Sequence, residues 1–491
     1  MDELTILLCI ALSIPLIIFF MLKRHGGRQK LPPGPPALLF IAKLLLMLKS
    51  PIYHLGPVLR SLHARYGPIV SVCLGRTFVF VADRHLTHSA LVKGGGNFDT
   101  RPPPSKLFTL FLGGSMSASP LGPYFRLVRR NLHSQALHPS RIRLLAPVRQ
   151  RVCDALVGSL RRDRDAASQG IVTVRPLMAR CLFDLLTSMT FGVTLGQEAL
   201  DEMQQMQLQI SDGISRFPVL SIFQPITKRL LRKEWALNVA LRERQKGLML
   251  PLIHARRGHD GAQCYADSLL ELRVAEEGGR PLTDDEMVSL CSEFMIASTD
   301  TSVALLEWIM ADLVNHPDVQ AKLYEEVRGK PELSEEELSG MPYLKAIVLE
   351  ALRLHPTAHL VFPHGVQSDT EIGGYMVPKG VDINFLVSDF GLDETVWPAA
   401  REFRPERFLH DHGVDITCTK EIKMAPFGAG RRMCPGYVLA TLPAEYFVGS
   451  LVREFQWLPP GGQDTVDMTE ELAMAINMKH PLRWIYEQFT E

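Results

Sequence analysis

One run constrains this chain more than any other: Pro426, Phe427, Gly428, Ala429, Gly430, Arg431, Arg432, Met433, Cys434, Pro435, Gly436. Three glycines and two prolines in so short a stretch cannot be helix or strand interior. They form a tight loop whose backbone can approach another group closely. The apolar run 437–457 that follows reads as a helix, with Pro435 in its first turn, where a missing N–H costs nothing. A thiol at Cys434 then feels the unpaired amides and positive end of that helix, and both favour the thiolate. Such a thiolate, with Arg432 two residues before it, suits a metal centre that carries negative groups of its own.

Phe427, Gly430, Arg432, Cys434 and Gly436 spell F-x-x-G-x-R-x-C-x-G. This resembles the haem-binding loop of the cytochrome P450 family. The resemblance implies that Cys434 is the axial ligand of haem iron, and therefore the metal ligand. It also implies that Arg432 pairs with a haem propionate and that Phe427 packs beside the sulfur. A thiolate ligand pushes electron density onto iron and favours O–O cleavage. The other reading of the loop is a glycine turn around an inert buried cysteine.

The chain has 491 residues, 46% hydrophobic and 22% charged, so it can bury a large core and is not disordered in composition. Its formal net charge is zero, and nothing overall points to nucleic acid. Eight cysteines are scattered without a C-x-x-C pair, which argues against a disulfide framework. His410, His412, Cys418 and Cys434 invite a zinc reading, but their spacing fits no common zinc pattern.

Residues 4–22 are almost wholly apolar, close to the roughly 20 residues that span a bilayer. Asp2 and Glu3 precede them, and Lys23, Arg24, Arg28 and Lys30 follow. The positive side stays cytoplasmic, which puts the N-terminus in the lumen and the rest in the cytosol. A cleaved signal peptide is the alternative; it wants positive charge before the apolar core and a small-residue cleavage site after it, and neither is present. Residues 1–30 thus read as anchor and basic flank, and the proline-rich stretch 31–36 as a stiff hinge. Residues 37–491 read as one catalytic domain.

Residues 69–74 and 77–82 read as a hairpin about Gly75 and Arg76. Phe98 opens a proline- and glycine-rich segment, read as irregular as far as Gly122. The triplet Gly94, Gly95, Gly96 reads as a turn. Residues 124–130 start a helix in which Arg129 resembles the family's second propionate contact; Phe125 stands where the family usually has tryptophan. Residues 140–280 are helical in pattern. Within them, the apolar patch 217–225 is core, a membrane-dipping loop or a lid of the substrate channel.

Thr283 with Glu286 three later is a capping box. The helix it starts runs to Asn315, before His316 and Pro317, over roughly 30 residues and about 45 Å. Its apolar middle is broken by the run from Ser298 to Ser302. Ala297, Ser298, Thr299, Asp300, Thr301 and Ser302 resemble the family's A-G-x-D-T-T signature, with serine for the usual glycine. By that resemblance Thr301 holds oxygen and its water, and Asp300 relays protons as a general acid. Glu350 and Arg353 share a helix face among apolar neighbours, so their ion pair is expected to be buried and to need a further partner. Arg407, in F-R-P-E-R-F, is that partner by resemblance. The three are structural support and carry no chemistry. Residues 357–363 should pass beside the haem, and His364 resembles another propionate partner. Residues 371–385 read as short strands with turns at 373–374 and 378–380. Residues 474–478 resemble a turn that reaches the substrate pocket.

The motifs resemble those of plant microsomal cytochromes P450, in the family's order and over nearly the whole chain. The implied fold is mainly α with a smaller β-rich region, preceded by one N-terminal transmembrane helix. The implied cofactor is haem b, held between the long helix and the cysteine loop. The implied activity is insertion of one atom of O2 into a small hydrophobic substrate. The chain has no flavin or nicotinamide motif, so electrons from NADPH must arrive through a separate NADPH-cytochrome P450 reductase. Lys420, Lys423, Arg431 and Arg130 are candidates for its docking face. The implied location is the endoplasmic reticulum membrane, single-pass, with membrane lipid as a partner. Two alternatives carry other chemistry: a reductase-independent haem-thiolate isomerase or dehydratase, and a non-catalytic haem or ligand binder at the membrane.

Overall fold

The long helix predicted from Thr283 is the axis of the structure, a computed structural model that describes residues 31–36, 40, 55–73, 76–104, 106–166, 171–221, 229, 232–258, 264–330, 333–410, 414–460 and 463–487. The anchor segment, His412 and the end of the apolar patch at 222–225 lie outside the described residues. Among those residues, ten helices have eleven residues or more. They are α1 (Leu55–Tyr66), α2 (Pro123–Gln135), α3 (Ala146–Ala166), α4 (Arg175–Phe191), α5 (Gln197–Ser221), α6 (Arg232–His254), α7 (Asp284–Asn315), α8 (Pro317–Val327), α9 (Pro342–Leu354) and α10 (Tyr437–Glu454).

Local chemistry sets both ends of α7. Thr283 Oγ1 accepts from Glu286 N at 3.2 Å, and Glu286 Oε2 accepts from Thr283 N at 2.8 Å. The helix ends where Pro317 opens α8. Over 32 residues it spans about 48 Å. Among the described residues it is the one helix long and apolar enough to cross a membrane, and it is buried through the middle of the core. Glu307, buried on its length, is paired: it takes Arg175 Nε at 2.7 Å and Leu482 N at 2.8 Å. Trp308 donates to Ile476 O and stacks on His355 at 4.4 Å. Helices α4, α5, α6, α9 and α10 pack around it.

The β-rich part is a four-stranded sheet. β1 (Ile69–Cys73) pairs antiparallel with β2 (Thr77–Val81), as the hairpin pattern predicts. Its other half comes from far along the chain: β3 (His364–Gly365) and β6 (Asp382–Phe385), with β2 and β6 parallel. β4 (Thr370–Ile372) and β5 (Tyr375–Val377) form the expected hairpin about 373–374. β7 (Glu470–Leu472) and β8 (Ile476–Met478) form another. The proline-rich stretch lies on this sheet: Ser71 N donates to Pro33 O at 2.9 Å, and Ser71 Oγ to Pro32 O at 2.6 Å.

Three expectations need correction. The segment after Phe98 is not irregular throughout, because Lys106–Leu112 is a helix packed on α5 and α7. The helix after the cysteine loop begins at Tyr437 with Gly436 as its N-cap, so Pro435 precedes it. It also stops at Glu454, and Trp457 lies in a short strand, Gln456–Leu458. The Gln320 side chain takes Trp457 N and donates to Trp457 O, which supplies the partners a longer helix would have used.

Candidate active site

The cysteine loop is closed by its own backbone. Cys434 N donates to Phe427 O at 2.9 Å, and Met433 N to Gly430 O at 3.0 Å. Gly430 is required twice over. Its φ is +71°, and a Cβ there would lie 2.1 Å from Leu91 O. Cys434 is solvent-accessible by area yet crowded by protein atoms on nearly every side. Both are true because its open face looks into an internal cleft. Burial pushes this thiol up, and the Gly436 amide and the Arg129 guanidinium pull it down. The expected thiolate therefore depends on one amide and one guanidinium more than on a helix end, and a metal cation would complete the stabilisation.

Arg432, Arg129 and an unforeseen third residue, Arg101, gather at the rim. Arg432 donates to Asp99 O at 2.7 Å and Ser119 O at 2.9 Å. Arg129 donates to Met433 O at 2.8 Å, and Arg101 to Ser117 O at 3.1 Å and Pro363 O at 2.9 Å. Burial lowers all three, and repulsion from its neighbours adds to this for Arg101, taken to about 9, and for Arg432, taken to about 10. Glu293 of α7 grips the same segment from behind, accepting from Met116 N and Ser117 N at 2.8 and 2.7 Å. Cations crowded this way need anions, and two carboxylates from a ligand would supply them.

Phe125 is the platform for this cluster. Its buried ring lies 3.8 Å from the Arg432 guanidinium and 5.9 Å from that of Arg129. Phenylalanine thus offers a π face where a tryptophan would add an indole donor. Phe125→Leu keeps the volume and removes that face. We expect haem transfer to an apo-globin acceptor to quicken by about 2- to 30-fold, from a cation–π worth of about 0.5–2 kcal/mol.

His364 is turned elsewhere. Its Nδ1 donates to the Phe98 carbonyl, and burial and Arg101 lower it to about 3. A neutral ring with hydrogen on Nδ1 has none on Nε2 to give a carboxylate. Arg101, not His364, stands with the other two cations. Sequence spacing alone had no means to find Arg101, because its partners are backbone carbonyls distant in sequence.

On α7, Ala297 is accessible although the residues before it are buried, so the cleft touches the helix there. Thr301 lies one turn on, and its Oγ1 donates to Ala297 O at 2.7 Å. Asp300 points away to α5, where Ser211 Oγ is 3.2 Å from its Oδ2; burial raises its proton affinity.

The expected trio is assembled and buried. Glu350 receives Arg353 through both oxygens at 2.7 Å and Arg407 Nε at 3.0 Å. Arg353 also donates to Gly391 O and Ala400 O, and its guanidinium lies 5.3 Å from the Trp397 ring. Trp397 Nε1 donates to Lys423 O, three residues before the cysteine loop. Among the described residues no group of three His, Cys, Asp or Glu meets; the side chains of His410 and His412 lie outside them. Cys418 is a buried structural thiol that donates to Met424 O at 3.2 Å.

A helical fold with an interior, accessible thiol and a basic rim is that of a haem-thiolate protein. A family model described as Cytochrome P450 matches residues 32–485. Cytochrome P450 89A9 of Arabidopsis thaliana is 38% identical, over 98% of both chains. Geraniol 8-hydroxylase of Catharanthus roseus is 28% identical, over 98% of this chain and 99% of that one. A zebrafish cytochrome P450 solved with abiraterone superposes at a TM-score of 0.73 with 19% identity, covering 89% of this chain and all of that one. The chain belongs to the cytochrome P450 family. It is a haem-dependent monooxygenase that acts with O2 on a hydrophobic substrate. The residues present fit haem: a sulfur donor in the cleft wall and three crowded cations for two propionates.

Proposed function

We propose that this protein uses NADPH electrons, passed by a separate reductase, to oxygenate a small hydrophobic plant metabolite at the membrane of the endoplasmic reticulum. The accessible interior thiol beneath a three-arginine rim supports this reading most. Residues 1–30 are the proposed anchor, 31–36 the hinge and 37–491 the catalytic domain. The names of relatives, a geraniol hydroxylase and a tryptamine hydroxylase among them, favour a substrate of that size.

Cys434 would supply the sulfur that ligates the haem iron. Arg432, Arg129 and Arg101 would neutralise the propionates. Gly430 and Gly436 let the loop approach, and Phe427 shields the sulfur from water. Bound haem supplies the redox chemistry that activates O2, helped by thiolate donation. Asp300 is the proton donor, and burial raises the proton affinity of its carboxyl. Thr301 holds a water through the hydroxyl lone pair that its bond to Ala297 O leaves free. Glu350, Arg353 and Arg407 brace the loop from behind.

The test is reconstitution with reductase and NADPH on a plant metabolite extract, with mass spectrometry for products one oxygen heavier. Thr301→Ala is expected to turn reducing equivalents to peroxide in place of product; full coupling in that variant removes the proposed role. Activity without reductase or NADPH would favour an isomerase or dehydratase instead. Lys420 is the better probe of docking, because Arg431 is tied to buried Asp99 at 3.1 Å and Lys423 lies 3.8 Å from Glu421. Charge reversal at Lys420 should slow reduction and weaken its salt dependence, read by stopped flow.

A further inference from the structure

The hydroxyl of Ser211, on α5, stands between two acceptors. It lies 3.2 Å from Asp300 Oδ2 and 3.0 Å from the thioether sulfur of Met474. Ser211 is buried, and Met474 sits in the turn between β7 and β8. Three segments remote in sequence therefore meet on one O–H group. A hydroxyl has one hydrogen and two lone pairs, so it serves one of these acceptors at a time.

The charge on Asp300 decides which. An ionised carboxylate is the stronger acceptor and takes the serine hydrogen. A neutral Asp300 carries its own O–H and donates it to Ser211 Oγ. The serine hydrogen then turns to the Met474 sulfur, a weak acceptor but an available one. The two arrangements differ in that the protonated state alone uses Met474. Among the described residues, no charged group of α5, α7 or the β7–β8 turn acts on Asp300; burial and the Ser211 hydroxyl are what set its proton affinity.

We propose that Ser211 and Met474 are positioning residues that set how firmly Asp300 holds its proton, Ser211 favouring the carboxylate and Met474 the neutral acid, and that the place of the β7–β8 turn shifts the balance between them. This rests on the reading of Asp300 as proton donor. A substrate that displaces the turn removes the sulfur acceptor and weakens the protonated arrangement. The Asp300 O–H bond then breaks, its electron pair stays on the carboxylate, and the Ser211 hydrogen swings back to Oδ2. The proton goes to the oxygen atom that leaves as water, and solvent water restores it. Proton release is thereby tied to substrate occupancy.

The test uses the holoenzyme with reductase and compares Met474→Leu, Ser211→Ala and Ser211→Thr, with Asp300→Asn as reference. Two quantities are followed against pH: product formed per NADPH, and the infrared band of the protonated Asp300 carboxyl, identified by its loss in Asp300→Asn. Met474→Leu removes an acceptor used by the neutral acid alone, so the midpoint of the band should move to lower pH. Ser211→Ala removes the donor to the carboxylate, so its midpoint should move to higher pH, and Ser211→Thr should restore it. Product per NADPH in Ser211→Ala should fall about fivefold, the worth of one hydrogen bond. Midpoints that move in the same direction, or not at all, while Asp300→Asn is uncoupled, overturn the proposal and leave the proton-donor reading intact. An Asp300→Asn enzyme with wild-type coupling removes that reading and this proposal with it.

Discussion

Replacing Cys434 by serine is expected to abolish the thiolate-type band of the reduced carbonyl complex and to cut product formation by more than about a hundredfold. Substitutions merely adjacent to a metal ligand cost about 10- to 100-fold, and this one removes the ligand itself. The reason lies in the opposing influences on this side chain. Burial disfavours its anion, and one amide at Gly436 with one guanidinium at Arg129 work against that. Burial outweighs those two groups, so the thiolate is completed only by a bound metal cation, and only for an acid as strong as a thiol. A serine hydroxyl is a far weaker acid and stays protonated there, so it donates little electron density to a bound metal. Cys418→Ser is the matched control. That thiol is also buried and pushed up to about 12, but its contact is the Met424 carbonyl. Its substitution should leave the spectrum unchanged. The pair is measured by carbonyl difference spectra of the two purified proteins at equal haem content.

The elements legible in the sequence are those whose causes are local. The start of α7 is set by Thr283 and Glu286, three residues apart, and its end by Pro317. The turns at 373–374 and 378–380 are set by their own glycines and proline. What escaped depends on contacts hundreds of residues long. Arg101 reaches Pro363 O across 262 positions, and Ser211 reaches Met474 across 263. Glu293 reads as one more polar residue of α7 until its two backbone amides from 116 and 117 are seen. His364 lies beside this cluster with its Nδ1 on the Phe98 carbonyl, a contact that a spacing does not specify. The C-terminal end of α10 was overrun for a similar reason. Gln320 captures Trp457, and nothing near Trp457 announces it.

Glu350→Gln should lower the stability of the holoprotein by about 3–5 kcal/mol, whereas Glu325→Gln should change it by about 0.5 kcal/mol or less. The two glutamates make the same i,i+3 pair, with Arg353 within α9 and with Arg328 at the C-cap of α8 respectively. Geometry does not separate them, with contacts of 2.7 and 2.6 Å. Burial does. Glu350 and Arg353 are both fully buried, while Glu325 and Arg328 keep more than half of their side-chain surface in water. An exposed pair loses little, since water replaces either partner. A buried pair broken on one side leaves an uncompensated guanidinium inside the protein. Here it leaves two, because Arg407 also leans on Glu350. Arg353 in turn holds the carbonyls of Gly391 and Ala400, and through Trp397 the strain reaches Lys423 and the cysteine loop. The loss should therefore appear twice: as a lower thermal midpoint, and as haem that leaves below that midpoint. If the two glutamine variants unfold together, the burial argument is wrong, and the trio is no more than an ordinary surface pair drawn inside.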